Sequence, residues 1–219
     1  MLVSRMVCGV AGAAVLFGAA PASAQFYFRG PDIASAPATG TEPGLLAQPL
    51  PGATPAELRA AIVWNVRAAL NVAALQCQFA PTLLTLPNYN TILKDHGAEL
   101  NASYATLSKY FLRTAKNAKA GQTALDQYGT RVYSSFSVVY SQLSFCATAH
   151  AVSEQAVFAP RGGFGDIAVQ HIGELRNSLT RWGEMQFPMV TYYGAQVNLP
   201  QFGNEKCWRK DVYRPERCA

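Results

Sequence analysis

The stretch TPAELRAAIVWNVRAALNVAALQC, residues 54–77, decides the fold. Thr54 suits an N-cap and Pro55 the first helical position. Glu57, three residues after the cap, can return a hydrogen bond to it and close a capping box. Beyond this start Val63, Val66, Leu70, Ala73 and Cys77 recur at alternating steps of three and four residues, the spacing of one apolar seam on an amphipathic helix. Cys77 lies on that seam.

The same signals repeat downstream. Pro81 and Pro87 bracket a loop, Asn88 or Asn90 offers a cap, and Leu93, Gly97, Leu100, Tyr104, Leu107 and Phe111 form a second seam that runs out near Gly121. Thr123 with Asp126 starts a third, carried by Leu125, Gly129, Val132, Phe136, Val139, Leu143 and Cys146. After a glycine-rich turn Asp166 caps a fourth, with Ala168, Ile172, Leu175, Leu179 and Trp182. The sequence therefore predicts an all-α fold: an antiparallel helical bundle of about four helices over residues 54–182. Residues 25–53, rich in Pro, Ala and Gly, read as a flexible arm. Residues 183–219 read as an irregular, aromatic, basic tail in which Met189–Val197 forms a short hairpin turned at Gly194.

Of 219 residues 50% are hydrophobic and 14% charged, enough apolar matter for a core and too much for a disordered chain. Residues 1–24 read as a secretory signal, with Arg5 before an apolar run and Ala22-Ser23-Ala24 as the cleavage motif, so cleavage is expected between Ala24 and Gln25. The expected location is periplasmic or extracellular. Loss of Arg5 with the signal lowers the net charge from +5 to +4. The basic residues are dispersed except near the C-terminus, which argues against nucleic acid as a partner. The longest other apolar stretch, Ala60 to Leu75, is interrupted by Asn65, Arg67 and Asn71, so no transmembrane segment is expected in the mature chain.

Removal of the signal leaves Cys77, Cys146, Cys207 and Cys218, an even count that suits two disulfides in an oxidising compartment. Of the three possible pairings, the short spacing of Cys207 and Cys218 favours a local loop and leaves Cys77 to Cys146. Each seam cysteine lies 23 residues beyond its expected cap, Thr54 or Thr123. Short connections make sequential helices antiparallel, so the first and third run parallel and present both thiols at one end. Diagonal helices would stand about 14 Å apart, against the roughly 5.5 Å that a disulfide allows between Cα atoms. The first and third helices are therefore expected to be adjacent, in a three-helix core flanked by the fourth.

Catalytic signatures are scarce. There is no G-x-S-x-G, H-E-x-x-H, C-x-x-C or phosphate-binding Walker loop. Gly163-Phe164-Gly165-Asp166-Ile167-Ala168 matches G-x-G-x-x-A, with Glu184 at the acidic offset. Its flanking helices and the charge of Asp166 point instead to a turn and helix cap. Asn101-Ala102-Ser103 matches a glycosylation sequon in mid-helix. Tyr133 and Tyr140 flank the third seam and read as a widening of the buried face. Each histidine precedes an acid by one helical turn: His96 with Glu99, His150 with Glu154, His171 with Glu174. Antiparallel packing would gather all three pairs at the disulfide end, where a divalent transition metal fits the ligand chemistry. The competing expectation is that these pairs complement helix dipoles and solvate helix faces.

The last segment gathers Lys206, Trp208, Arg209, Lys210, Tyr213 and Arg214, a basic and aromatic set suited to cation and stacking contacts. The set suits an acidic envelope polymer, anionic lipid headgroups or a protein partner, and the leading expectation is a non-catalytic, cofactor-free exported module that binds an envelope protein or an acidic envelope polymer through it. The alternative is a metal-binding protein or metal-dependent enzyme built on His96, Glu99, His150, Glu154, His171 and Glu174.

Overall fold

In a computed structural model, which describes residues 32–181 and 202–218, the helix expected from residue 54 is α1, Pro55–Gln76. Its start follows the sequence. Thr54 Oγ1 accepts the Glu57 amide, and a Glu57 carboxylate oxygen accepts the Thr54 amide at 2.8 Å. Arg113 then donates two hydrogen bonds to the same carboxylate, at 3.0 and 2.6 Å, and a third to the Gly52 carbonyl. Bonding from Arg113, joined by the Thr54 amide, holds Glu57 at a pKa of about 2 against an ordinary 4.5.

Six α-helices occur among the described residues: α1, α2 (Thr85–Asp95), α3 (Gly97–Thr114), α4 (Ala118–Phe136), α5 (Gln142–Phe158) and α6 (Phe164–Asn177). The fold is all-α, and its only strands among the described residues are two-residue pieces near the C-terminus. From Ala60 to Ala74 every position of α1 is buried except Trp64, Arg67 and Asn71, which are half-buried. By length and composition α1 is apolar enough to cross a membrane. Here its apolar circumference is covered by protein, because α1 packs against each of the other five helices. Ala61, Ala68, Ala69 and Ala73 carry little bulk and permit that close approach. Around α1 the neighbours follow the order α4, α3, α2, α5, α6.

Two expected helices are each broken in two. The second divides at His96, whose Nε2 lies 2.9 Å from the Ala156 carbonyl on α5, beside Gly97, a poor helix former. Its expected caps differ as well: α2 begins at Thr85, and Asn88 is already helical and donates to Ser153. The third divides over residues 137–141. Ser135 and Ser137 there bond back to helix carbonyls, and the adjacent valines are β-branched. Val139 and Leu143, expected on the buried seam, are 81% and 66% exposed. The third helix is capped by Asn117, not Thr123, and the fourth has Gly163, not Asp166, at its cap position.

The expected arm is tied down over its described part. Ala38, Leu45, Leu46 and Leu50 are buried in the core. The Ala38 amide donates to Val169, Asn177 to the Ile33 and Ala34 carbonyls, and Tyr110 to the Pro51 carbonyl. Buried leucines spaced along a proline- and glycine-rich chain follow neither the helix nor the strand period, so periodicity does not reveal them.

Cys77 and Cys146 are bonded, with Cα atoms 5.7 Å apart and both residues fully buried. The pairing agrees with expectation, but the equal-depth argument does not explain it, since Cys146 belongs to α5 and the presumed cap to α4. The chain divides into two compact units, Met1–Gln186 and Phe187–Ala219. The expected signal peptide and its cleavage site, the start of the arm, Trp182 and the hairpin at 189–197 lie outside the described residues.

Within the second unit residues 202–218 are more regular than expected. β1 (Trp208–Arg209) pairs antiparallel with β2 (Val212–Tyr213), between short 3-10 turns at Glu205–Cys207 and Pro215–Arg217. Lys210 and Asp211 both have left-handed φ, 49° and 62°, as a two-residue type I′ turn requires. Cys207 is bonded to Cys218 and closes the loop.

Two stability predictions follow from these contacts. The Glu57 pKa is depressed on folding, so its stabilisation is complete above pH 4.5 and disappears as pH falls toward 2. The gap in melting temperature between the wild type and Glu57→Gln, measured across that range, is expected to close accordingly. Replacing Cys77 and Cys146 by alanine opens a loop of 69 residues. Denaturant titration should then show a loss of about 4 kcal/mol.

Candidate interaction site

The three expected histidine and glutamate pairs have separate surroundings. His96 is fully buried, its ring 5.7 Å from that of Phe164, and its Nδ1 stands 3.9 Å from Glu99. The Glu99 carboxylate accepts the first two amides of α6, from Phe164 at 3.0 Å and Gly165 at 2.8 Å. It caps α6 from another helix, where Gly163 at the cap position makes no side-chain bond. A Cβ on Gly165 would lie 2.7 Å from a Glu99 oxygen and from an Arg59 guanidinium nitrogen, so an alanine here displaces the side chains that meet the start of α6. Asp166 points to α1, where Arg59 donates to it at 2.7 Å. His171 Nδ1 lies 2.8 Å from Glu174, one turn along α6. His150 is half-buried, with no hydrogen-bond partner on Nδ1, and Glu154 is exposed. Among the described residues no three His, Cys, Asp or Glu side chains converge as a metal would require.

The G-x-G-x-x-A stretch accordingly forms the turn into α6, and the amides that would cradle a phosphate are held by Glu99. Tyr133 and Tyr140 do not flank one seam. Tyr133 accepts a hydrogen bond from Arg67, whose guanidinium lies 4.9 Å from the Trp64 ring centre. Tyr140 lies within the helix break with the Arg181 guanidinium 4.8 Å from its ring.

Sequence reasoning did not find the buried polar centre. Asn65, fully buried on α1, donates to the Tyr128 hydroxyl at 2.8 Å and accepts from Arg176 at 3.0 Å. Arg176 also donates to Ser135 Oγ and to the Leu45 carbonyl, and its guanidinium lies 3.9 Å from the Phe136 ring centre. Burial lowers the Arg176 pKa to about 10 and raises that of Tyr128 to about 12, so at neutral pH one is charged and the other neutral. Arg176 lines a cleft of about 370 Å³ with residues 35–38, 42–45, Gly173 and Asn177. Its bonding partners are all neutral and hold α1, α4, α6 and the 32–53 segment together. Asn65 interrupting an apolar run was the available signal, but a sequence does not pair it with Arg176, 111 residues away.

The basic aromatic set is assembled in part. Trp208 and Tyr213 are cross-strand partners and share a face with Phe202. The ring centres of Phe202 lie 4.8 Å from Tyr213 and 6.2 Å from Trp208, and Trp208 Nε1 donates to the Phe202 carbonyl at 2.8 Å. Arg209 pairs with Val212 on the opposite face, and Lys210 occupies the turn. Lys206, Trp208, Arg209, Lys210 and Arg214 are exposed and Tyr213 is half-buried. Arg214 reaches Glu216 at 3.7 Å, the one ion pair among residues 202–218. Five basic and three acidic residues fall in this span.

Comparison with protein families, with curated proteins and with solved structures finds no match for this chain.

If Glu99 is a cap rather than a metal ligand, its loss should be felt at α6 in any buffer. Glu99→Ala and Gly165→Ala are each expected to cost about 1–2 kcal/mol in urea unfolding, equally with and without a chelator.

Proposed function

We propose that this chain is a non-catalytic protein of an oxidising, exported compartment that carries a helical unit and a disulfide-closed hairpin, and that the hairpin binds an acidic component of the cell envelope. The observation that carries the reading is the exposure of Lys206, Arg209 and Lys210 around a small aromatic cluster on a hairpin held by Cys207 and Cys218. A two-stranded hairpin with two-residue strands is marginal alone in water, so the bond and the three rings are what hold the cations in place. Two paired cysteine couples fit the compartment. The helical unit, described by itself, spends its buried polar side chains largely on helix caps and on the Asn65, Tyr128 and Arg176 centre. An antiparallel helical bundle is the architecture proposed for that unit.

The test is sedimentation of the purified full chain with isolated cell envelopes over a range of salt. Binding that weakens as salt rises is expected. Lys206→Gln, Arg209→Gln and Lys210→Gln combined should weaken it by on the order of tenfold or more. The melting temperature of the helical unit should be unchanged. Equal sedimentation of wild type and variant would overturn the reading.

A further inference from the structure

We propose that the acidic component is the headgroup surface of an anionic lipid bilayer, and that the hairpin enters the interfacial layer; this rests on the envelope-binding reading above. Two geometric facts favour a bilayer over a linear acidic chain. The first is the disposition of the rings. Phe202, Trp208 and Tyr213 meet at 44°, 57° and 70°, so no two are coplanar and no flat platform exists for successive sugar rings. The second is that both faces of the ribbon carry exposed apolar side chains. Phe202, 57% exposed, and Trp208, 38% exposed, lie on one side, and Val212, 53% exposed, lies on the other beside Arg209.

A linear polymer or a flat protein surface covers one face of such a ribbon and leaves the other in water. A bilayer interface surrounds whatever enters it, so both faces are served at once. Trp and Tyr favour the headgroup depth, where an apolar ring and a polar edge are each accommodated. Among the described residues Lys206, Arg209, Lys210 and Arg217 have no acidic group within ion-pair distance, so their charge is available to lipid phosphates. Long basic side chains reach the phosphates while their stems and the neighbouring rings lie lower. With Asp211 at the turn beside Lys210, entry is shallow, at headgroup depth rather than into the hydrocarbon.

The experiment mixes the disulfide-bonded chain from Gln25 onward with vesicles of phosphatidylcholine alone or containing phosphatidylglycerol, and measures the sedimented fraction. Sedimentation is expected only with phosphatidylglycerol. Each cation removed among Lys206→Gln, Arg209→Gln and Lys210→Gln should reduce partitioning about fivefold. Val212→Asn, which alters an exposed side chain and leaves both disulfides in place, should reduce it as well, by about threefold. No sedimentation with phosphatidylglycerol vesicles, or full sedimentation by Val212→Asn, overturns the proposal. Envelopes stripped of lipid by detergent separate the two readings. If they still retain the chain while vesicles do not, the lipid assignment fails and the envelope reading stands. If neither vesicles nor intact envelopes retain it, both fail.

Discussion

The guanidinium of Arg176 closes the ring of helices around α1. The helices around α1 follow one another from α4 through α3, α2 and α5 to α6, and the remaining side is spanned by Arg176, which donates to Ser135 on α4, Asn65 on α1 and the Leu45 carbonyl of the 32–53 segment. A charge withdrawn this far from water persists only when its donors find acceptors, and here three neutral acceptors and the face of Phe136 supply them. Without those bonds Asn65 would be a buried amide lacking its carbonyl partner, and the 32–53 segment would lose its hold beside α6. The buried Asn65 thus specifies which elements stand around it.

Wrapping an apolar helix on all sides also accounts for the broken helices. Two long straight helices would each touch α1 along one line. Divided at His96 and over residues 137–141, they become four shorter pieces that follow its circumference. Each break is secured by a tertiary contact. His96 reaches the Ala156 carbonyl, and Gln142 donates to the Gln76 carbonyl beside the Cys77 to Cys146 bond. Glu99, carried just after the first break, supplies the cap that α6 lacks in its own sequence. One helix therefore sets the start of another 65 residues downstream.

The hairpin at residues 202–218 obeys a different balance. It has too few residues to bury a core, and its order comes from a covalent loop, a type I′ turn and three rings packed on each other. What would be core in a larger fold is therefore partly exposed, and the cations outnumber the acids five to three with one ion pair among residues 202–218. That combination of apolar and positive surface is the physical basis for the interfacial partner proposed above.

Much of the helical unit was legible in residues 54–77, where capping chemistry and the apolar run need no distant partner, and in Val132, Phe136, Ile172 and Leu175, whose spacing matches their burial. Cysteine spacing alone sufficed for the pairings. The sequence by itself determined what is local: helix starts such as Thr54, the apolar periodicity, the closed C-terminal loop and its charge. Only the tertiary structure decided where the long seams break, that Leu45 and Leu50 belong to the core, and that Glu99 accepts the first amides of α6 while His96 and His171 find separate partners. A cap such as Thr54, satisfied within three residues, is recorded in local order. A carboxylate seeking two amides, or an amide seeking a guanidinium 111 residues away, is satisfied only once the chain has folded.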